Sequence, residues 1–278
     1  MQKLESYQQL AAAMSAHLRR GVVTNCFLSA ADGAREVRAG LLLHEEAGAL
    51  LLLRDRGTHY VLNFYLQPGA RFSLPAFDKP VVTELAYRPK DETAMLAAAS
   101  ELRALGFSEV LRRTRRTRAA APAAALPQLS QSPQSPQSPP SPCRIGLPQP
   151  CRSAAVNAFL RSHFSALTGC LPTADTLSEA LAAGQMLCAE DDAGICGLLD
   201  FAPGRTSSEI RHLAVRADCR GRGIASSLFS AYLSATGGQK SVVWARTGNL
   251  PAEHFYESQN YQPDGWKSIV LQLGGTEL

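Results

Sequence analysis

The segment Leu213–Leu233, LAVRADCRGRGIASSLFSAYL, constrains this chain more than any other. It opens on a short apolar strand, Leu213 to Val215, and passes through a polar turn around Asp218 into RGRGIA, Arg220 to Ala225. A helix follows, with Ile224, Leu228 and Tyr232 on one face at a four-residue spacing. A strand feeding a glycine-broken turn that opens a helix suits an anion. The first turn of a helix has backbone N–H groups without intrahelical partners, and the macrodipole leaves that end partly positive. Gly221 and Gly223 have no Cβ, so a diphosphate can come close to the backbone. The segment reads as a phosphate loop; the plainer alternative is a strand-to-helix turn with no ligand.

Two common phosphate loops are excluded. GxxxxGK[ST] occurs nowhere, and a GxGxxG fingerprint fails because Ser226 stands at its third glycine. What fits is [Q/R]xxGx[G/A], filled by Arg220, Gly223 and Ala225 and placed five residues after Val215. This resembles the acetyl-CoA loop of the GCN5-related N-acetyltransferases (GNAT). Downstream, after VVWAR, the stretch TGNLPAEHFYESQNY resembles the later family motif NxxAxxFYxxxGF at Asn249, Ala252, Phe255 and Tyr256. It departs at Asn260 and Tyr261, which replace Gly-Phe. Asn is the non-glycine residue most tolerant of a left-handed C-cap, and Tyr keeps the aromatic ring. The resemblance covers roughly Cys151 to Leu273.

The resemblance implies an α/β chain whose C-terminal domain has the GNAT fold, a mixed, mostly antiparallel sheet with splayed central strands and flanking helices. It implies an acetyl-CoA-dependent N-acyltransferase that moves an acetyl group directly to a primary amine, small molecule or peptide, in a ternary complex and without a metal. The main chain of Leu213, Ala214 and Val215 would pair with the pantetheine arm. The N–H groups of Arg220, Gly221, Arg222, Gly223, Ile224 and Ala225 would take the diphosphate, with Asn249 as a further cofactor-binding residue. Arg220 and Arg222 side chains would add charge-assisted bonds or stay solvated. The Val215 N–H would meet the developing oxyanion, and Tyr256 matches the position that protonates the leaving thiolate.

Glu209 matches the general base of the histone-acetylating branch. Strict alternation puts it on the Leu213/Val215 side of its strand and His212 on the other, as a satisfied core histidine. Its plainer reading is a strand-edge carboxylate paired with Arg211 or water, and many family members use ordered water as the base. Cys219, beside the loop, has no assignable histidine and acid partners and reads as a loop residue. The alternative function is a non-catalytic GNAT-like module that binds acyl-CoA for regulation.

The 278 residues suit two domains of ordinary size, and a net charge of +4 is compatible with an anionic cofactor. The seven cysteines show no CxxC pairs and no metal-like spacing with His. There is no apolar signal core near the N-terminus and no apolar run of membrane-spanning length. The expectation is a soluble, reduced, cytoplasmic protein with no membrane partner.

In the first half, residues 4–20 read as an amphipathic helix, and 22–29, 40–46, 49–55, 59–66 and 81–88 as strands. A helix over 92–105 and a closing strand FSEVLRRT follow. This order is close to that of the C-terminal half, so residues 1–118 are expected to form a degenerate GNAT-like α/β domain. It has no [Q/R]xxGx[G/A] string, so no acetyl-CoA is expected there. This domain would shape or cover the acceptor site, or mediate a homodimer. RRTRRTR (112–118) lacks interleaved aromatics and reads as a solvated strand end, so nucleic acid is not an expected partner. Residues 119–150, with QSPQSPQSPPSP, read as a semi-extended linker, and 151–278 as the acetyltransferase domain.

Overall fold

The structure, a computed structural model, describes residues 1–121 and 143–274. The QSP repeats and most of the expected linker lie outside the described residues. The chain divides into two compact units, one of Met1–Thr114, Ala166–Thr168 and Gly265–Leu278, the other of Arg115–Ser165 and Gly169–Asp264.

The first unit contains β1 (Gln2–Lys3), α1 (Tyr7–His17), β2 (Val23–Thr24), α2 (Ala30–Arg38), β3 (Leu42–Glu46), β4 (Ala49–Asp55), β5 (Tyr60–Leu66), β6 (Val81–Tyr87), α3 (Glu92–Ala104) and the start of β7 (Ser108–Arg118). Strands β3, β4 and β5 form an antiparallel meander. The continuous apolar run Leu50–Leu53 of β4 is explained by cores on both faces of this sheet. Leu51 and Leu53 pack with Phe64 and the α3 residues Ala99 and Leu102. Leu50 and Leu52 pack with Leu10 of α1 and Val37 of α2.

Helix α2 went unanticipated because its sequence, AADGAREVR, is short, charged and contains a glycine. Its signal is the cap: Ser29 Oγ accepts the Asp32 N–H at 3.1 Å. Gly33 is needed for close approach, since a Cβ there would lie 2.9 Å from the Tyr7 ring of α1. The expected strand 22–29 is cut to Val23–Thr24, because Asn25 turns inward to bond elsewhere.

The second unit contains β8 (Arg144–Gly146), α4 (Ser153–His163), α5 (Ala174–Ala182), β9 (Met186–Asp191), β10 (Gly194–Pro203), β11 (Ser207–Val215), α6 (Ile224–Ala235), β12 (Lys240–Arg246), α7 (Leu250–Ser258) and the start of β13 (Gln262–Leu273). Strands β8 to β11 pair antiparallel in sequence order, and β12 joins β11 in parallel. One face carries Leu199, Phe201 and Ile210 against Leu228, Phe229 and Tyr232 of α6 and Tyr256 of α7. The other carries Cys188 and Leu198 against Phe159 and Leu160 of α4 and Leu177 of α5. Strand β8 falls where the sequence reads as linker, and its three residues are too few to show a period.

The two units share an order: two helices, three antiparallel strands, a fourth strand parallel to the third, a helix and a closing strand. The first unit lacks a helix between its third and fourth strands; residues 67–80 carry no helix or strand there. The closing strands are exchanged. Residues 267–273 of β13 pair antiparallel with 81–87 of β6 in the first unit. Arg115–Arg118 of β7 belong to the second unit, where β7 neighbours β12.

The basic run is therefore strand, not a solvated end. Arg113 pairs with Glu84 at 2.7 Å, Arg115 with Asp264 at 2.6 Å and Arg116 with Glu257 at 3.0 Å. Among the described residues, no helix is long and apolar enough to cross a membrane.

Candidate active site

Strands β11 and β12 pair only from Ser207–Lys240 to Ile210–Val243, and beyond that point they splay. On the other side, β11 stays bonded to β10 up to Val215. The Arg216 N–H donates to the Cys196 carbonyl at 2.9 Å, which makes Val215–Gly197 a non-hydrogen-bonded pair. The main-chain groups of Val215, and two residues back those of Leu213, therefore point away from β10 into the splay. Ala214 points the other way, so of the three expected main-chain partners two present their groups. Arg220 Nε donates to the Val215 carbonyl at 3.2 Å, which leaves the Val215 N–H facing the opening.

The loop follows directly. A 3-10 turn, Ala217–Cys219, leads into Gly221 and Gly223, both left-handed at φ 75°, and Gly223 is the N-cap of α6. That conformation is strained for residues with a Cβ, which is why glycine is required at both. A Cβ at either would meet nothing within 4 Å, so the space above the loop is open. No side chain caps α6, and among the described residues the N–H groups of 221–226 have no acceptor. Open space, orphan donors and the exposed Arg220 and Arg222 together fit a diphosphate.

Arg216 anchors the loop base: it bonds Asp218 at 2.7 Å and Asp191, in the β9–β10 turn, at 2.6 Å. Its guanidinium holds both carboxyls below the usual carboxylate range. Cys219 is buried between Arg216 and Asp191 with no imidazole beside it, as a loop residue.

Glu209 is not on the side that strict alternation gives. Asp200 of β10 opposes His212 while Phe201 opposes Ile210, so Arg211 is the extra residue of a bulge. The bulge shifts the phase by one. Ile210, Leu213 and Val215 lie toward α6, and Glu209, His212 and Ala214 lie on the opposite face. There His212 is satisfied: Nδ1 lies 2.8 Å from Asp200 Oδ2 and Nε2 2.7 Å from the Gly169 carbonyl. Arg211 pairs with Asp200, not with Glu209, at 2.6 Å.

Glu209 lines an open cavity of about 360 Å³ together with Pro203, Ser207, Trp244 and Arg115. This cavity sits at the paired end of β11 and β12 rather than in the splay. The Arg115 guanidinium lies over the Trp244 ring, 5.8 Å from its centroid.

Tyr256 is 6% exposed and makes edge contacts with Phe255 and Tyr261 at 5.4 and 5.3 Å. Burial pushes its phenol above the ordinary tyrosine value, so it stays a proton donor at neutral pH. Asn249 is the N-cap of α7, its Oδ1 accepting the Ala252 N–H at 3.4 Å. Asn260 has φ 63°, the left-handed C-cap expected in place of glycine.

The first unit has the same splay and closes it. Strands β5 and β6 pair in parallel only at Tyr60–Val81 and Val61–Val82. Beyond that the buried Asn25 side chain fills the gap. Its Oδ1 accepts the Phe64 N–H at 2.8 Å, and its Nδ2 lies within 3.2 Å of the Leu62 carbonyl and 3.0 Å of the Glu84 carbonyl. Nothing in the sequence marks Asn25 for this; only the paired strands reveal it.

Residues 182–263 match the family model described as the acetyltransferase (GNAT) domain. No curated protein matches the chain. Among solved structures, it is similar to a GCN5-related N-acetyltransferase from Sphaerobacter thermophilus, at 17% identity and TM-score 0.55 over 98% of this chain and 93% of that one. A tandem GNAT protein from the clavulanic acid biosynthesis pathway matches at 12% identity and TM-score 0.57, over 99% and 98% of the two chains. A GCN5-related N-acetyltransferase from Kribbella flavida matches at 12% identity and TM-score 0.51, over 98% and 97%. Residues 182–263 therefore match a GNAT acetyltransferase domain, and the chain as a whole is similar in fold to a tandem GNAT protein.

Proposed function

We propose that the second unit is an N-acyltransferase that moves an acetyl group from acetyl-CoA directly to a primary amine. The observation that carries this is the splay beyond Ile210 and Val243, with the Leu213 and Val215 main chain aimed into it beside a loop of orphan amides. Acetyl-CoA supplies the acyl group as a thioester, activated toward an amine. The Leu213 and Val215 main chain holds its arm, and the N–H groups of residues 221–225 hold its diphosphate; the expected Arg220 N–H is not among them, since it donates to the Ala217 carbonyl at 3.3 Å. The Val215 N–H stabilises the charge that develops on the carbonyl oxygen. Glu209 lies on the far face of β11 at its paired end, so it takes the proton the attacking amine must lose through ordered water, since such amines have a pKa near about 10.4. The Tyr256 hydroxyl gives a proton to the departing thiolate.

Calorimetric titration of the full chain with acetyl-CoA, followed by a free-thiol assay over a panel of primary amines, tests the reading. One equivalent per chain is expected, because Asn25 occupies the corresponding gap of the first unit. The absence of a binding isotherm would sink it.

Tyr256→Phe should lower kcat by about 100-fold and leave KM and melting temperature nearly unchanged, because the phenyl ring keeps the aromatic contacts. Glu209→Gln should lower kcat by about 100-fold and leave KM nearly unchanged.

The second reading, a non-catalytic acyl-CoA-binding module, is favoured by one observation. Tyr256 and Asn249 both have structural tasks, in the aromatic core and as a helix cap. Binding without turnover, with Tyr256→Phe altering only stability, would establish it.

A further inference from the structure

Cys143 is the first described residue after the proline-rich tract and immediately precedes β8. Arg144 of β8 pairs with Glu190 of β9, and Ile195 of β10 pairs with the same Glu190 from the other side. Gly197 then opposes Ala189, so Cys196 is the extra residue of a bulge and has no partner in the ladder. The two cysteines flank one position of β9, and their sulphurs meet at 2.8 Å. Cys196 is fully buried, whereas Cys143 is partly exposed.

Asp191 brings a carboxylate close to both sulphurs, which also suggests a metal site. That carboxylate is already engaged: Arg216 Nη2 donates to Oδ2 at 2.6 Å and the Ala193 N–H to Oδ1 at 2.9 Å. A divalent cation here would be held against the Arg216 guanidinium, a repulsion that low-dielectric surroundings strengthen. The arrangement is poor for a cation and good for two neutral thiols.

We propose that Cys143 and Cys196 form a redox modification site, converted by a low-molecular-weight disulfide into an intrachain disulfide. The Cys143 thiolate attacks one sulphur of the small disulfide, forming a mixed disulfide and releasing one small thiol. The Cys196 sulphur then attacks Cys143 Sγ, gives up its proton and expels the second small thiol. Two electrons pass from the protein pair to the small disulfide, and the two protons end on the released thiols. The order follows exposure: the accessible thiol meets the oxidant and the buried one resolves it. Burial, then the neighbouring Cys143, push the Cys196 thiol up, so it is a poor first attacker and depends on proximity. The sulphurs need to close by only about 0.8 Å to reach a bond.

The link would span 53 residues of sequence and fasten the start of β8 to the strand beneath the phosphate loop. Cys196 is part of that base, since its carbonyl accepts the Arg216 N–H where the loop begins.

The test uses the reduced full chain, incubated with oxidised glutathione, alkylated with N-ethylmaleimide and mapped by mass spectrometry. Two of the seven thiols should escape alkylation, in one peptide joining Cys143 to Cys196, with recovery by dithiothreitol. The oxidised protein should melt roughly 5 °C higher than the reduced one, as closing a long loop restricts the unfolded chain. Cys143→Ser, at a partly exposed position, should fold normally and show neither the link nor the shift. A stable glutathione adduct on Cys143, seven alkylated thiols, or a link to Cys219 would overturn the proposal. So would one equivalent of zinc that shields Cys143 and Cys196 in the reduced protein, which would make the cluster a metal site. None of these readouts depends on acetyl-CoA binding or turnover.

Discussion

Gly223→Asp is expected to weaken acetyl-CoA binding by about 100-fold or more while the protein stays folded. Position 223 is the N-cap of α6, and the diphosphate is assigned to the amides around it. A carboxylate there places a negative charge against the ligand's own charges and competes for the same N–H groups. A 100-fold loss is about 2.7 kcal/mol, modest for a like-charge contact in a partly desolvated site. Unfolding does not explain such a loss. A Cβ at 223 meets nothing within 4 Å, and Asp is both a favoured N-cap and tolerant of the left-handed conformation. Gly223→Ala is the control; it carries at least as much backbone strain without the charge and should lose no more than about tenfold. Calorimetry on the three proteins decides the matter. Equal affinity across them would mean that the loop is only a turn.

Asn25→Ala should destabilise the first unit by about 3 kcal/mol, one of the larger costs for a single polar side chain. Its amide joins β5 to β6 where the two strands have parted, and Ala would strand the Phe64 N–H and the Glu84 carbonyl in a buried gap, while the Leu62 carbonyl keeps the Thr83 hydroxyl at 2.9 Å. Each orphaned buried group costs about 1–3 kcal/mol, and the removed side chain leaves a void as well. In scanning calorimetry this corresponds to a fall of roughly 10 °C in the transition of that unit. Hydrogen exchange gives the local reading: the Phe64 amide should lose most of its protection. Unchanged protection at Phe64 would show that water replaces the side chain without penalty and that the gap is not closed by Asn25. Asn25→Asp should fare no better, because it keeps the acceptor but loses both donors and buries a charge.

The glycine turn before α6 and the order of elements in the second unit were legible because they rest on short-range signals. Glycine's freedom at positive φ fixes Gly221 and Gly223, a four-residue spacing fixes the buried face of α6, and Asn260 takes the left-handed cap that its side chain tolerates. The four leucines of β4 likewise announce a strand, and the two cores against its faces are the structure's finding. Such features depend on a few neighbouring dihedrals and on which side of an element is apolar, and a sequence carries both directly.

Tertiary structure alone decided the rest. One unpaired residue, Arg211, turns Glu209 from the face of Val215 to the face of His212, and no local pattern distinguishes a bulged strand from a regular one. The exchange of closing strands is equally hidden: SIVLQL alternates well enough to pair with any open edge, and the edge it takes belongs to residues 81–87, distant in sequence. Asn25 in the gap of the first unit, and Cys143 against Cys196 across β9, are likewise contacts between residues far apart in the chain. Sequence periodicity fixes what each segment becomes. Register, partner and the filling of gaps are set by long-range packing, which is where the second unit keeps an open site and the first has closed its own.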